Sequence, residues 1–290
     1  MKFSEAYQTA PFVLSFEMFP PKTEAGEAAL FRHVQRLGQF SPRFVTCTYG
    51  AGGSTRDKTL RITSEIERRL GCSVAAHLTC VGSPVETIRS YLEEAGRLGI
   101  ENIVALRGDP PQGESQFKPV AGGFTHADQL VAMTRAEFPQ FGIAVGGYPE
   151  THHEAPSPEV DLQNLRRKVD SGADLIITQL FYHNEDFLGF RDRCQAIGID
   201  VPIVPGLLPI TSLAQIQRIT SLCGARLSKP LVDRLRSAGE DTDAQFEAGV
   251  EFAAEQTRGL IEAGVPGIHY YVLNQSRAAT HVLNSVTLPS

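Results

Sequence analysis

Short apolar runs rich in Val, Ile and Phe recur along the chain, each followed by a stretch whose apolar residues return every three or four positions. Eight runs read as strands: FVLSFE from Phe12, RFVTCTY from Arg43, SVAAHLTC from Ser73, NIVALRG from Asn102, GIAVGGY from Gly142, DLIITQLF from Asp174, VPIVPG from Val201 and GIHYYVL from Gly267. Most successive runs start about 30 residues apart, the length of a strand, a crossover helix and two loops. The stretches between them carry helix-start signals. In SPVETIRSYLEEAGRLG, Ser83 reads as N-cap, Pro84 as the first helical residue and Glu86 as the partner in a capping box. Val85, Ile88, Leu92, Ala95 and Leu98 then share one face, as Leu30, Val34 and Leu37 do after the first run. Two longer gaps, about 109–124 and about 210–266, predict a long functional loop and an additional helix before the last strand.

Eight strand-then-helix repeats without a linker predict an α/β fold, a single (β/α)8 TIM barrel spanning residues 1–290 as one catalytic domain. An open doubly wound sheet is the alternative, but its fingerprint is weak. GAGGST at Gly50 lacks the third Gly, and no acidic residue ends the next strand.

The remaining totals narrow the partners. A net charge of −6 argues against nucleic acid or an anionic membrane as the main partner and leaves a small molecule. No apolar run approaches the roughly 20 residues of a membrane span, and MKFSEAYQTAP lacks a signal-peptide core, so a cytoplasmic protein is expected. The five cysteines are scattered without a C-x-x-C pair and read as reduced core thiols.

In a barrel, chemistry belongs at the C-terminal ends of the strands. Those ends carry Glu17; Thr48 and Tyr49; His77 and Thr79; Arg107 and Asp109; Tyr148, Glu150 and His152; Gln179; Pro205, Gly206 and Pro209; then Tyr271 and Asn274. Glu17 ends an apolar run between Phe16, Met18 and Phe19, an enclosure that should hold its proton to higher pH and suit a proton donor; a fold-supporting ion pair is the plainer reading. Arg107 and Asp109 flank Gly108, either as a turn-supporting pair or as ligand contacts around a close backbone approach. The helical stretch from Asp161 puts Asp161, Asn164 and Lys168 on a polar face, which is either simply solvated or, with Arg167, able to neutralise a diphosphate. His152, His153 and Glu154 do not make a metal site, because three consecutive residues cannot converge on one ion and no supporting ligand spacing accompanies them.

SFEMFPPK, VTCTYGAGGSTRDKT, AHLTC, ALRGDPP, GGYPETHHEA, DLQNLRRKVDSGADLIITQLFY, IVPGLLPI and YYVLN, in this order and spacing, resemble the motif series of the methylenetetrahydrofolate reductases from about residue 10 to about 285. The resemblance implies an FAD-containing barrel in which NADH or NADPH reduces the flavin and 5,10-methylenetetrahydrofolate then takes the hydride to become 5-methyltetrahydrofolate, a step of one-carbon metabolism that supplies methionine. It implies that Glu17 is the general acid that helps open the five-membered ring, and that Asp109 is the acid near flavin and pterin. Gln179 corresponds to a residue meeting folate and nicotinamide in turn, Thr48 to a nicotinamide contact and Gln215 to a folate contact. Tyr49, Ala51, His77, Arg107, Gly108, Ala127, Tyr148, His152, Asp161, Asn164, Arg167 and Lys168 correspond to flavin contacts, the last four toward the adenosine diphosphate half.

The chain also departs from the pattern. Gln275 stands where the family usually has an Arg for the folate glutamate tail, and Arg277 two residues on is the candidate substitute. Leu180 and Ile219 replace aromatics near the substrate face. No regulatory extension resembling that of the eukaryotic enzymes is expected after the barrel, and self-association is an expectation of the resemblance alone. Three other readings stay open: a flavin barrel oxidising another amine, a flavin-free folate-binding methyltransferase barrel, and a binding module without catalysis.

Overall fold

In the computed structural model, which describes residues 1–49, 56–110 and 117–289, all eight apolar runs form strands, and every strand pairing is parallel. They are β1 (Val13–Met18), β2 (Phe44–Cys47), β3 (Ser73–Thr79), β4 (Asn102–Leu106), β5 (Gly142–Gly147), β6 (Leu175–Thr178), the short pair β7 (Ile203–Val204) and β8 (Gly206–Leu207), and β9 (Gly267–Tyr271). The sheet order β7-β6-β5-β4-β3-β2-β1-β9-β8 is sequential and joins its two ends at Pro205, so it is a closed barrel and not an open doubly wound sheet. The seventh barrel strand is therefore in two pieces. Pro205 has no N–H to add to a ladder, while its carbonyl still accepts from His269 N at 3.0 Å.

The helices are α1 (Phe3–Thr9), α2 (Glu24–Gly38), α3 (Arg56–Leu70), α4 (Val85–Arg97), α5 (Ala127–Glu137), α6 (Pro158–Asp170), α7 (Asn184–Ala196), α8 (Leu213–Cys223), α9 (Lys229–Ser237), α10 (Thr242–Glu262) and α11 (Arg277–Asn284). One helix beyond the crossover helix is expected before the last strand, and that gap holds three helices, two beyond the crossover. Gly224, at φ 73°, ends α8 in the left-handed conformation that glycine adopts freely. The chain then restarts at Ser228 with a proline in the first turn of α9, and again at Asp241, whose carboxylate accepts from Asp243 N and Ala244 N. The start of α4 also differs from expectation. Pro84, not Ser83, is the N-cap, and no capping box forms, because the Pro84 side chain has no group that can cap; Ser83 N donates to Cys80 O, and Val85 N donates to the Gly122 carbonyl where the β4–α5 connection returns. Ser83 Oγ donates to Val81 O instead.

Side chains alternate across each strand and so divide the core in two. Leu14, Phe16 and Met18 face outward into the large layer between barrel and helices, with Val34, Val45, Leu92 and Tyr270. Val13, Phe44, Ala75, Val104, Ala144, Leu175 and Val204 face inward and fill the N-terminal end of the barrel. α1 closes that end. Phe3 and Ala6 join the inner cluster, Phe3 meets the Phe44 ring edge-on at 4.9 Å, and Phe3 N donates to the buried Asn102 Oδ1 at 2.9 Å. With its lower half packed, the barrel leaves its C-terminal mouth for polar groups.

Candidate active site

The inward positions of β1, after Val13, are Ser15 and Glu17. Glu17 thus turns away from Phe16 and Met18, and Phe19 beyond the strand is 36% exposed. The expected enclosure by these three neighbours is wrong for a simple reason: successive residues of a strand point to opposite faces. Glu17 is enclosed by the barrel interior instead. It is 8% exposed, with His77 Nε2 at 3.4 Å and His269 Nε2 at 4.0 Å from its Oε2. Burial pushes the Glu17 carboxyl up to about 8 and pulls both imidazoles down to about 3, with His77 further disfavouring charge on His269. A protonated acid thus lies between two neutral rings. Tyr271, at Glu17's register position on β9, donates to Thr178 O at 2.7 Å, and burial, reinforced by Glu17, keeps its phenol far from ionising.

A second group lies across the mouth at β4, β5 and α6. The Arg107 fork pairs with both oxygens of Glu154, one of them at 3.0 Å, and its guanidinium lies 5.0 Å from the centre of the Phe117 ring. Glu154 N donates to His152 Nδ1 at 3.1 Å, His152 N donates to Asp161 Oδ2 at 2.9 Å, and the His152 ring meets Tyr148 edge-on at 4.6 Å. Burial, with His153 and Arg107 adding to it, lowers the His152 imidazole and leaves it neutral with Nδ1 as acceptor. Tyr148 is raised to about 12 by burial and then by Asp109 and Asp161, which puts the exposed Asp109 in the same field. On α6, Lys168 Nζ donates to Gly146 O at 2.6 Å and is pulled to about 8 by burial, while Arg167 donates to Asn164 Oδ1. Gly108 has φ 88°, and a Cβ there would lie 2.6 Å from Val81 Cγ1, so only glycine suits this turn.

A third group opens from Tyr271. A cavity of about 220 Å³ is lined by Gln215, Gln275 and Arg277 together with Tyr271, Phe246 and Leu208. Gln215 Oε1 caps the start of α8 by accepting from Thr211 N at 2.7 Å. Arg277 lies 3.9 Å over the Phe246 ring and 3.6 Å from Asp243 Oδ1. Gln179 follows β6, with its side-chain carbonyl accepting from Leu180 N at 2.9 Å. Asn274, at φ 58°, clamps the loop after β1 by bonding both the N–H and the carbonyl of Phe19 at 2.8 Å.

Other expected residues stand apart from these groups. Tyr49 packs edge-on against Tyr91 in the outer layer, and Ala127 is buried at the start of α5. Thr48 continues β2 through its N–H to Met18 O at 2.8 Å, and its carbonyl accepts from Thr59 Oγ1 at 3.0 Å. Ala51 lies outside the described residues. Leu180 and Ile219 pack together under α8 and α9 with Leu208 and Leu235. Glu154, Ser15 and His269 were missed. A roomier groove of about 540 Å³ lies outside the barrel among α2, α3 and α4; paired charges such as Glu27 with Arg61 line it.

Residues 2–287 match the family described as methylenetetrahydrofolate reductase. The chain belongs to that family. Among its relatives, a methylenetetrahydrofolate reductase (NADH) of Arabidopsis thaliana is 40% identical over 98% of this chain and 49% of its own length, so the chain spans about half of that plant protein. The 5,10-methylenetetrahydrofolate reductase of Escherichia coli is 37% identical over 94% of this chain and 90% of its own. Among solved structures, a Clostridium thermocellum protein described as binding two copies of 5-methyl-5,6,7,8-tetrahydrofolic acid superposes at a TM-score of 0.69, with 15% identity and 98% of each chain covered. Oxaloacetate acetylhydrolase superposes at 0.54, with 11% identity over 96% of this chain and 82% of that one. These two likenesses concern the fold. No helix among the described residues is long and apolar enough to cross a membrane.

Proposed function

We propose that the chain, as one catalytic barrel, reduces 5,10-methylenetetrahydrofolate to 5-methyltetrahydrofolate with NADH as donor through bound FAD, as a cytoplasmic enzyme. The observation that carries this reading is Glu17, buried inside the barrel mouth between His77 and His269, where desolvation pushes its carboxyl up to about 8. Opening the five-membered folate ring needs a proton on a bridging nitrogen. An acid that keeps its proton to about pH 8 can give one at neutrality.

The residues present fit the cofactor: Arg107, Arg167 and Lys168 supply cations for a diphosphate, and Gly108 gives a backbone turn that a side chain would block. FAD, when bound, would supply a two-electron carrier between donor and folate, chemistry that side chains lack. Tyr148, His152, Asp161 and Asn164 would complete its walls. Asp109 would put a negative charge near the reacting rings, and Gln179 would meet nicotinamide and folate in turn, beside Thr48 on the donor side. Gln215, Gln275 and Arg277 would hold the folate tail in the cavity beside Tyr271. The plant relatives named for NADH favour that donor, and the fold likeness to a protein described as binding a methylated folate agrees with the substrate class.

The test is an anaerobic titration. Flavin bands that bleach with NADH and return with 5,10-methylenetetrahydrofolate are the expected result. A protein that stays colourless after incubation with FAD would refute the cofactor, and one that bleaches but is not reoxidised by the folate would refute the substrate.

A further inference from the structure

Ser15 and His269 lie directly below Glu17 on the inner face of the barrel, and the reaction as described gives them no task. Ser15 is fully buried and His269 is 1% exposed. They are register partners on β1 and β9, with Ser15 Oγ 2.8 Å from His269 Nδ1. The His269 ring has little freedom. Phe44 lies nearly parallel to it at 6.2 Å, Tyr271 meets it edge-on at 5.2 Å, and its backbone N–H is tied to Pro205 O. Its other nitrogen, Nε2, faces Glu17 Oε2 at 4.0 Å.

We propose that Ser15 and His269 are a positioning pair that fixes the imidazole tautomer facing Glu17 and thereby favours the acid form of its carboxyl. The argument rests on the reading of Glu17 as the proton donor. Ser15 Oγ has one proton and two neighbours, His269 Nδ1 and the Ile268 carbonyl at 3.5 Å. With His269 Nδ1–H donating to the hydroxyl and the hydroxyl donating to Ile268 O, both contacts are hydrogen bonds; with the hydroxyl donating to Nδ1 instead, the Ile268 contact is not one, so the pair assigns the proton to Nδ1. Nε2 is then unprotonated, 4.0 Å from Glu17 Oε2. That is too far for a direct hydrogen bond, but in this buried setting the partial negative charge of the bare nitrogen repels a carboxylate and so favours the acid form. The opposite tautomer would turn an N–H toward Glu17 and favour its ionised form. The other titratable groups facing Glu17 are His77 from β3, Tyr271 from β9 and, behind the strand, Cys47 from β2; burial keeps each of them neutral.

Two measurements test the pair. Nitrogen-15 NMR of histidine-labelled protein should show His269 protonated on Nδ1, and an Nε2–H resonance would overturn the proposal. In the second, the reoxidation rate by 5,10-methylenetetrahydrofolate is followed against pH. Ser15→Ala should move the alkaline fall of this rate down by about one pH unit, a loss approaching tenfold on the alkaline side and almost none near pH 6. Bleaching by NADH should be unchanged, and Ser15→Thr, which keeps the hydroxyl, should restore the profile. Superimposable profiles, or an upward shift, would overturn it. Wild-type flavin that the folate does not reoxidise would instead refute the reading of Glu17, and the NMR tautomer would still decide the hydrogen-bond arrangement of the pair.

Discussion

Replacing Glu17 by Gln should stabilise the protein, by an amount that grows with pH. The wild-type carboxyl binds its proton up to about 8 in the folded barrel, against 4.5 when unfolded. Between these values folding takes up a proton, so wild-type stability falls as pH rises from the unfolded value and levels off above the folded one. The isosteric amide does not titrate, so the difference between the two proteins isolates this cost. At 1.36 kcal/mol per pKa unit it is about 1 kcal/mol near pH 5, about 3 near pH 7 and close to its limit of about 5 above pH 8.5. Urea unfolding of both proteins across this range gives the curve directly. A difference independent of pH would refute the burial argument for the raised carboxyl, as would a variant less stable than wild type throughout. The same substitution should leave bleaching by NADH nearly intact and slow folate reduction severely, so the acid that weakens the fold is the one the chemistry needs.

Other consequences follow from the surrounding packing. Phe3→Ala should cost about 3–5 kcal/mol in chemical denaturation by unplugging the barrel floor; a loss below about 1 kcal/mol would mean that α1 is dispensable. In Gly206→Ala the new Cβ would lie 2.2 Å from Thr178 O and 2.5 Å from Tyr271 Cε2. It should displace Tyr271 and slow folate reduction more than flavin bleaching, and equal effects on both steps would contradict this. Gln275→Arg should tighten folate binding and Arg277→Ala should weaken it in equilibrium titrations, whereas an unchanged dissociation constant for Arg277→Ala would remove that residue from the tail contact. Lys168→Met should weaken FAD retention about tenfold, read by flavin fluorescence on dilution, and undiminished retention would place the diphosphate elsewhere.

The barrel was legible because its strands are buried on both faces and read as continuous apolar runs that crossover helices must separate. The polar inner half was less so. Ser15 and Glu17, like His269 and Tyr271, sit two apart, and that period of two marks one shared face. Reading Glu17 against its neighbours in sequence concealed the alternation and hid Ser15 and His269. Glu154 escaped because its role comes from Arg107, forty-seven residues earlier, and a distance in sequence of that size carries no local signal. The short helix α1 was missed because it spans only two turns, and only Phe3 and Ala6 of it are buried, too few to show a helical period. The three helices before β9 were read as a crossover helix and one more because their breaks rest on single residues such as Gly224 and Asp241.

The pairing that completes the barrel joins residues as far apart as Ser15 and His269, 254 positions along the chain. During synthesis β1 therefore emerges early and waits, one edge unpaired, until Gly267 to Tyr271 leave the ribosome. A chain halted before Gly267 would carry two open edges, at β1 and at β8, and open edges recruit other strands. The folded barrel hides this hazard completely, so the danger of aggregation belongs to nascent and truncated chains, and late interruptions of the message should be more harmful than the small number of residues they remove would suggest.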